Sequence, residues 1–372
     1  MTPANGELLD AFAASPPGLE RDLASEIAAL GLEHESLRGG VSFLGGWQDV
    51  WTANLWLRSA SRVLVRVGEF RAMHLAQLDK RARKLPWSRF LNAATPVAVE
   101  ATCRRSKIYH SGAATERLAR AIQEELGAKV VDGATVRVIA RIDDDLCTVS
   151  VDTSGEPLHK RGYKLEVGKA PLRENLAAAF LRECGYRGDE PFVDPMCGSG
   201  TLAIEAAQIA AGLAPGALRR FAFEALPSFE PDRWSDMVQA GLALKTPMPV
   251  IYGSDRDAGA VRMSGENAAR AGVGDAVRFA RHAISDLQPL SGTPGLVLTN
   301  PPYGARIGDP DALRNLYATL GQVLKERFKG WRVGLVTSDR ALAHATRLPF
   351  KRPGPPVPHG GLRVQLYRAG PL

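Results

Sequence analysis

The chain has 372 residues, 45% of them hydrophobic and 23% charged, which is ordinary globular composition with enough length for two or three domains. No apolar run approaches the roughly 18 residues needed to span a bilayer, and the opening MTPANGELLDAF lacks the basic head and apolar middle of a secretion signal, so a soluble, cytoplasmic protein with no membrane partner is expected. The net charge of +7 is mild, and Cys103, Cys147, Cys184 and Cys197 are too irregularly spaced for a disulfide framework or a metal site, so they are expected to be reduced and metal-free.

From Leu8 to Phe70 the chain reads as a short α+β pattern. Strand LLDAFAA precedes helix GLERDLASEIAALG, with Leu23, Ile27 and Leu30 at helical spacing; strand GGVSFLG, helix WQDVWTANLWLRSA and strand RVLVRVGEF follow. A second α+β unit contains VAVEAT, helix AATERLARAIQEELG, TVRVIARID and LCTVSVDTSG. Charge is unevenly spread over these units. Residues 1–57 hold 2 Lys/Arg against 8 Asp/Glu, residues 58–120 hold 14 against 4, and residues 121–155 hold 3 against 7. The central block includes Lys80, Arg81, Arg83, Lys84, Arg104, Arg105 and Lys107, with Trp87, Phe90 and Tyr109 between them. Basic clusters interleaved with aromatics suit a phosphate backbone with unstacked bases, although charge alone is equally consistent with a solvated face.

From about Ala170 helices and strands alternate, which predicts a doubly wound, mainly parallel sheet. Its first informative element is PFVDPMCGSGTLAIEAAQIAAG, residues 191–212. A strand ends at Asp194, Gly198 and Gly200 permit a tight turn, and Thr201 opens an Ala-rich helix with free amides at its start. No lysine follows the last glycine and GxGxxG is missing, so neither phosphate-loop pattern applies; an acid ahead of the turn suits a positively charged ligand.

The second element is VIYGSD, ending in Asp255, where a second-strand carboxylate can accept both hydroxyls of a ribose. Asp257 reads as a helix cap. The interval from Asp194 to Asp255 is longer than usual, and GLAPGALRRFAFEALPSFEPDRWSDMVQAG fills it as an insertion.

The third element is GLVLTNPPYG. Two prolines cannot donate to a sheet ladder, so the strand must stop at Asn300 and hand over to a rigid loop. The Asn300 side-chain oxygen and the carbonyl of Pro301 can accept from an exocyclic amine whose ring stacks on Tyr303. Leu313, Leu316, Tyr317, Leu320 and Leu324 then read as one core-facing helix stripe. His159, His282 and His359 stand alone and read as surface or hydrogen-bonded histidines; Cys197 reads as a small packing residue. The Pro/Gly-rich KRPGPPVPHGG reads as a loop.

In this order DPMCGSGT, GSD and NPPYG resemble the class I S-adenosylmethionine-dependent methyltransferases that act on exocyclic amines. More narrowly, LHKRGYKLEVGKAPLRENLAAAF, RGGVSF and ANLWLRSASRVL resemble the bacterial THUMP-domain RNA guanine-N2 methyltransferases, over essentially the whole chain. The resemblance implies a ferredoxin-like module (1–70), a THUMP RNA-binding module (71–157) and a Rossmann-like α/β methyltransferase domain (158–372).

By the same resemblance, Asp194, Pro195, Cys197, Gly198, Gly200, Thr201 and Asp255 bind S-adenosylmethionine, with Pro171 and Arg173 of APLRE beside it, and Asn300, Pro301, Pro302 and Tyr303 form the catalytic loop. The family's adenine-contacting acid is matched by Ala283, and Asp286 is the substitute. The implied substrate is guanine N2 in 23S rRNA, with tRNA as alternative and DNA adenine N6 as the less favoured one; the implied assembly is a monomer or weak homodimer, with no metal.

Overall fold

Apolar and polar side chains alternate in Leu-Asp-Ala-Phe-Ala-Ala, and the resulting strand β1 (Leu9–Ala14) buries every second residue. In the computed structural model, which describes residues 8–165, 172–290, 292–304 and 309–372, β1 is followed by α1 (Glu20–Ala29), β2 (His34–Leu37), β3 (Gly40–Gly45), α2 (Trp47–Trp56), β4 (Arg62–Arg71), α3 (Leu75–Ala82), β5 (Val97–Arg104), α4 (Ser111–Leu126), β6 (Val136–Asp143) and β7 (Leu146–Asp152). These seven strands make one sheet, ordered β2-β3-β1-β4-β7-β6-β5.

The sheet does not break between the two α+β modules: β4 pairs with β7 from Leu64↔Asp152 to Arg71↔Leu146, with a bulge between Arg66 and Gly68. Helix α4 buries Ala114, Leu118, Ala121 and Ile122 on one stripe and closes on Gly127 at φ +75°. Two elements lacked a periodic signal. The four residues of β2 are all exposed, and α3 is short, burying only Leu78 and Ala82.

The chain divides into two units, the first holding residues up to Ser15, Leu23–Leu158 and Arg219–Ala240. The third of these segments is the larger part of the expected insertion, whose first seven residues, 212–218, belong to the second unit with Gly241. It carries Phe221, Phe223, Phe229 and Trp234 into an aromatic cluster on Trp51 of α2: Phe223 stacks on Trp51 with ring centroids 5.9 Å apart and meets Trp234 edge-on at 4.9 Å. Trp51 and Phe223 are fully buried.

The second unit comprises Pro16–Asp22, His159–Leu218 and Gly241–Leu372. Its elements are α5 (Glu174–Glu183), β8 (Phe192–Asp194), α6 (Thr201–Ala210), the end of α7 (Pro231–Gly241), β9 (Ile251–Asp255), α8 (Ala258–Arg270), β10 (Val277–Arg281), β11 (Leu296–Thr299), α9 (Pro310–Arg327), β12 (Arg332–Thr337), α10 (Arg340–Ala345), β13 (Val357–His359) and β14 (Leu362–Ala369). The sheet order is β10-β9-β8-β11-β12-β14-β13, parallel from β10 to β12, with β14 antiparallel to β12.

The order reverses between β8 and β11, so the crevice outside their carboxyl ends is where such a sheet binds ligands. Strands β8 and β11 are buried at every position, as continuous apolar runs sandwiched by helices should be. The expected loop at 351–361 contributes β13, which pairs with β14 from Val357↔Val364. Among the described residues no helix is long and apolar enough to cross a membrane, and no group of three or more His, Cys, Asp or Glu could hold a metal.

Candidate active site

Register brings the three sequence motifs to one edge of the second sheet. Val193 of β8 lies opposite Val297 of β11, Asp194 opposite Gly253 of β9, and Asp255 opposite Arg281 of β10. Asp194, Asp255 and Asn300 therefore leave the ends of three adjacent parallel strands on the same side.

The glycine turn is fixed from both flanks. Met196 N donates to Asp194 Oδ1 at 3.2 Å, Gly198 N to Asp255 Oδ2 at 3.1 Å, and Asp257 N to Asp255 Oδ1 at 3.0 Å. Gly198 and Gly200 sit at φ +53° and +84°, the left-handed region that glycine occupies without a Cβ penalty. Asp257 caps α8 by accepting from Gly259 N at 2.7 Å, as its place in the sequence predicts.

Helix α8 supplies two further anchors that the sequence reading missed: Ser264 Oγ donates to the Gly198 carbonyl at 2.8 Å, and Asn267 Nδ2 to the Ser199 carbonyl at 3.1 Å. Small polar residues on a helix give no periodic signal, and burial of both is the only mark that sets them apart. The Cys197 thiol is buried 3.6 Å from Ser264 Oγ, and desolvation pushes its pKa up, which disfavours the thiolate. Burial also pushes the Asp194 carboxyl up to about 7, against the pull of the Met196 amide and the Thr299 hydroxyl beside it. Pro195 is buried in the same turn.

Behind the start of α6 lies a buried charged network that local motifs did not reveal. Lys164 Nζ donates to Thr201 Oγ1 at 2.8 Å and to the Leu172 carbonyl at 3.1 Å, and pairs with Glu174 at 3.3 Å; Arg161 pairs with Glu205 at 3.2 Å. Arg161, Glu174 and Glu205 are all under a twentieth exposed, a burial that charges tolerate only when paired. Arg173 is exposed at the N-cap of α5. Pro171 lies outside the described residues. Asp286 is exposed on a single 3-10 turn, where its carboxylate accepts from Ser285 Oγ at 3.1 Å, and Ala283 beside it offers only backbone polar groups.

On β11 the chain ends its ladder as the prolines require. Oδ1 of Asn300 is buried and has no hydrogen-bond partner among the described residues. Pro301 is buried, and the carbonyl of Pro302 accepts from Tyr317 Oη at 3.2 Å, which ties the loop to α9. Tyr303 is half-buried and packs against both core clusters of the sheet, which pushes its phenol up to about 12. His359 is not at the surface: it is buried on β13, and among the described residues neither ring nitrogen has a hydrogen-bond partner.

The basic block of the first unit is thinner than composition suggests. Arg66 pairs with Asp10 at 2.8 Å, Arg83 with Glu124 at 2.6 Å and Arg105 with Asp143 at 2.7 Å. Trp87 and Phe90, expected between the cations as base-stacking rings, are buried instead, and Trp87 Nε1 donates to the Ala82 carbonyl at 2.9 Å. Tyr109 is 84% exposed and remains a stacking candidate. Lys80, Lys84 and Arg104 are exposed without an ion-pair partner among the described residues.

Comparison with known families and proteins places this geometry. Residues 161–352 match the RMKL-like methyltransferase domain, residues 10–64 the RlmL ferredoxin-like domain and residues 72–152 the THUMP domain. The ribosomal RNA large subunit methyltransferase K/L of Syntrophotalea carbinolica is 41% identical over 356 residues, covering 89% of this chain and 49% of that protein. The chain thus spans about half the length of that relative and of others bearing the same name. The protein slr0064 of Synechocystis sp., which carries the name of an RNA methyltransferase, is 30% identical with 96% of this chain and 95% of the other covered. The crystal structure of SMU.472 complexed with SAH superposes with a TM-score of 0.89 at 29% identity over 98% of both chains. With residues 161–352, just over half of the chain, matched to that methyltransferase domain and the preceding modules matched in order, the chain belongs to the RMKL-like methyltransferase family.

Proposed function

We propose that this chain transfers a methyl group from S-adenosylmethionine to the exocyclic N2 of a guanine in RNA, and that the RNA is large-subunit ribosomal RNA. The observation that carries the reading is the buried, unpartnered Oδ1 of Asn300, an acceptor left without a donor at the end of β11. A buried acceptor costs about 1–3 kcal/mol when unsatisfied, so a ligand N–H arriving there is strongly favoured. The ribosomal RNA named in the large-subunit relatives and the matched THUMP domain support RNA over DNA. The division into modules 1–70, 71–157 and 158–372 is supported by the three matched stretches.

The residues fit the cofactor. The turn at Gly198 and Gly200 has no Cβ to obstruct a close approach, and a Cβ on Gly198 would meet nothing within 4 Å, leaving open space on that side. Asp255 keeps lone pairs beyond those taken by the Gly198 and Asp257 amides, and these suit the ribose hydroxyls. Asp194, Pro195, Cys197 and Thr201 line the turn, and Arg173, with Pro171 and Asp286, completes the proposed cofactor set. The bound group supplies an electrophilic sulfonium methyl.

The guanine N2 lone pair is delocalised into the ring. Oδ1 of Asn300 and the carbonyl of Pro301 accept the two N2 hydrogens, which favours localising that pair as the new bond forms, and Tyr303 holds the ring in line. A stacked guanine must first leave its helix at a cost of a few kcal/mol, which stacking on Tyr303 offsets in part. The sulfur–methyl bond would break as the N2–carbon bond forms, its electron pair leaving on the thioether, and N2 would then shed one proton to water, so no strong base is required of the protein.

The test is transfer of tritiated methyl to ribosomal RNA, transfer RNA and duplex DNA from cells lacking this protein, followed by nucleoside mass spectrometry. N2-methylguanosine in ribosomal RNA is the expected product; label in transfer RNA or in DNA adenine would transfer the assignment to that substrate. The assembly proposed is a monomer or weak homodimer, readable by sedimentation.

A further inference from the structure

A groove of about 600 Å³ runs between α9 and α10 and belongs to none of the motifs above. Its lining includes Ala318, Ala341 and Ala345 together with Arg314, Lys325 and Arg347. All three cations are exposed and have no ion-pair partner among the described residues. The acids on the same elements are already engaged: Glu326 accepts from Gln322 Nε2 at 2.9 Å, Asp339 caps α10 through Leu342 N at 3.1 Å, and Asp309 and Asp311 lie at the first turn of α9, where the helix dipole favours them.

Two features make this a built surface. Gly321 lies so close to the chain after α10 that a Cβ there would stand 1.8 Å from the Thr346 carbonyl oxygen, so the helix and that segment are locked backbone to backbone. The next residue, Arg347, ends α10 in the left-handed conformation at φ +54°, with its amide donating to the His344 carbonyl at 3.0 Å, so the backbone that brings this residue to the groove lining is fixed.

Both helices that line the groove follow strands that end at the site's edge of the sheet. Thr299 at the end of β11 is level with Leu335 of β12, whose continuation is α10, and Tyr317 of α9 binds the Pro302 carbonyl one turn beyond Arg314. From Arg314 to Lys325 the helix advances about 16 Å, a path long enough for several nucleotides.

We propose that the α9/α10 groove binds the phosphodiester backbone of the RNA strand flanking the target nucleotide, with Arg314, Lys325 and Arg347 as its phosphate contacts. Alanine methyls between cations fit a backbone read by charge and shape without base identity. The inference rests on the RNA reading above and is tested separately from it.

The experiment measures binding of ribosomal RNA from cells lacking this protein across a salt series, for the parent chain and for Arg314→Gln/Lys325→Gln/Arg347→Gly, with methyl incorporation and S-adenosylmethionine affinity read in parallel. Each phosphate contact contributes roughly 0.7 to the slope of log affinity against log salt on a single strand, so the triple variant should lose about 2 from that slope while its cofactor affinity stays at the parent value. Should the triple variant fold poorly, Arg314→Gln/Lys325→Gln, both on an exposed helix face, should lose about 1.4. A parental slope in a folded variant overturns the proposal and leaves the groove to an acidic protein segment. Absence of RNA binding and methyl incorporation in the parent chain itself overturns the RNA reading instead.

Discussion

The backbone amide of Gly198 donates to Oδ2 of Asp255 at 3.1 Å, so the carboxylate proposed to hold the ribose also holds the turn that shapes the rest of the pocket. Asp255→Ala removes both jobs at once. A hydrogen bond to a charged group is worth about 1.5–3 kcal/mol, which predicts a ten- to hundredfold or greater loss of S-adenosylmethionine affinity by calorimetry. An unchanged dissociation constant would take Asp255 out of the cofactor site.

Asn300→Ala should separate binding from chemistry. The variant loses the buried acceptor at the end of β11 and keeps every contact of the glycine turn. Cofactor affinity should stay near the parent value while turnover falls by about 10²–10³; turnover at the parental rate would exclude Asn300 from the reaction.

Asp194 predicts a pH signature. Burial pushes its carboxyl up to about 7, against about 3.9 in an unfolded chain. The folded state therefore keeps a proton that the unfolded chain has already released, and stability contributed by this residue declines as pH rises from about 4 to about 7. In cofactor-free protein, Asp194→Asn should melt above the parent at pH 8, by about 3 °C for each kcal/mol recovered, and close to it at pH 4. The same variant should bind cofactor more weakly. Equal melting at both pH values would contradict the burial argument.

Gly200→Ala adds a Cβ at φ +84° that would meet Ser264 Cβ at 3.1 Å and Phe279 Cζ at 3.2 Å. Gly31→Ala, at φ +76° with nothing within 4 Å, carries the backbone penalty alone. We expect about 1 kcal/mol of destabilisation at Gly31 and a further loss, with impaired cofactor binding, at Gly200. Identical thermal shifts would mean that the turn relaxes freely around the methyl.

Phe223→Ala should destabilise the first unit by about 3–5 kcal/mol, since the ring is fully buried between Trp51 and Trp234. A thermal scan should show the loss in the transition of that unit, and an unshifted scan would place the 219–240 segment outside its core.

What the sequence made legible was whatever is contiguous along the chain. Asp194, Gly198, Gly200, Asp255 and Asn300 each sit where a buried strand meets a turn, and strand ends are marked locally by Gly, Pro and a lone polar residue. The partners that steady them are not local. Lys164 reaches Thr201 across 37 positions, and Asn267 reaches Ser199 across 68, so only folding brings them together. Trp87 and Phe90 failed as base-stacking candidates because neighbouring cations in sequence say nothing of which way a ring turns once a short 3-10 turn forms. The 219–240 segment lies inside the matched methyltransferase domain by number and inside the first unit by packing, a relation no local pattern encodes.

That last relation also sets a timetable for synthesis. A ribosome finishes the strands of the first sheet by Asp152, yet the aromatic side chains that seal Trp51 arrive only with Phe221, Phe223, Phe229 and Trp234. The 82 residues that follow Asp152, up to and including Trp234, take roughly 4 to 16 s to make at bacterial and slower elongation rates. Through that interval the nascent chain exposes an unsealed tryptophan, a surface open to chaperones and proteases.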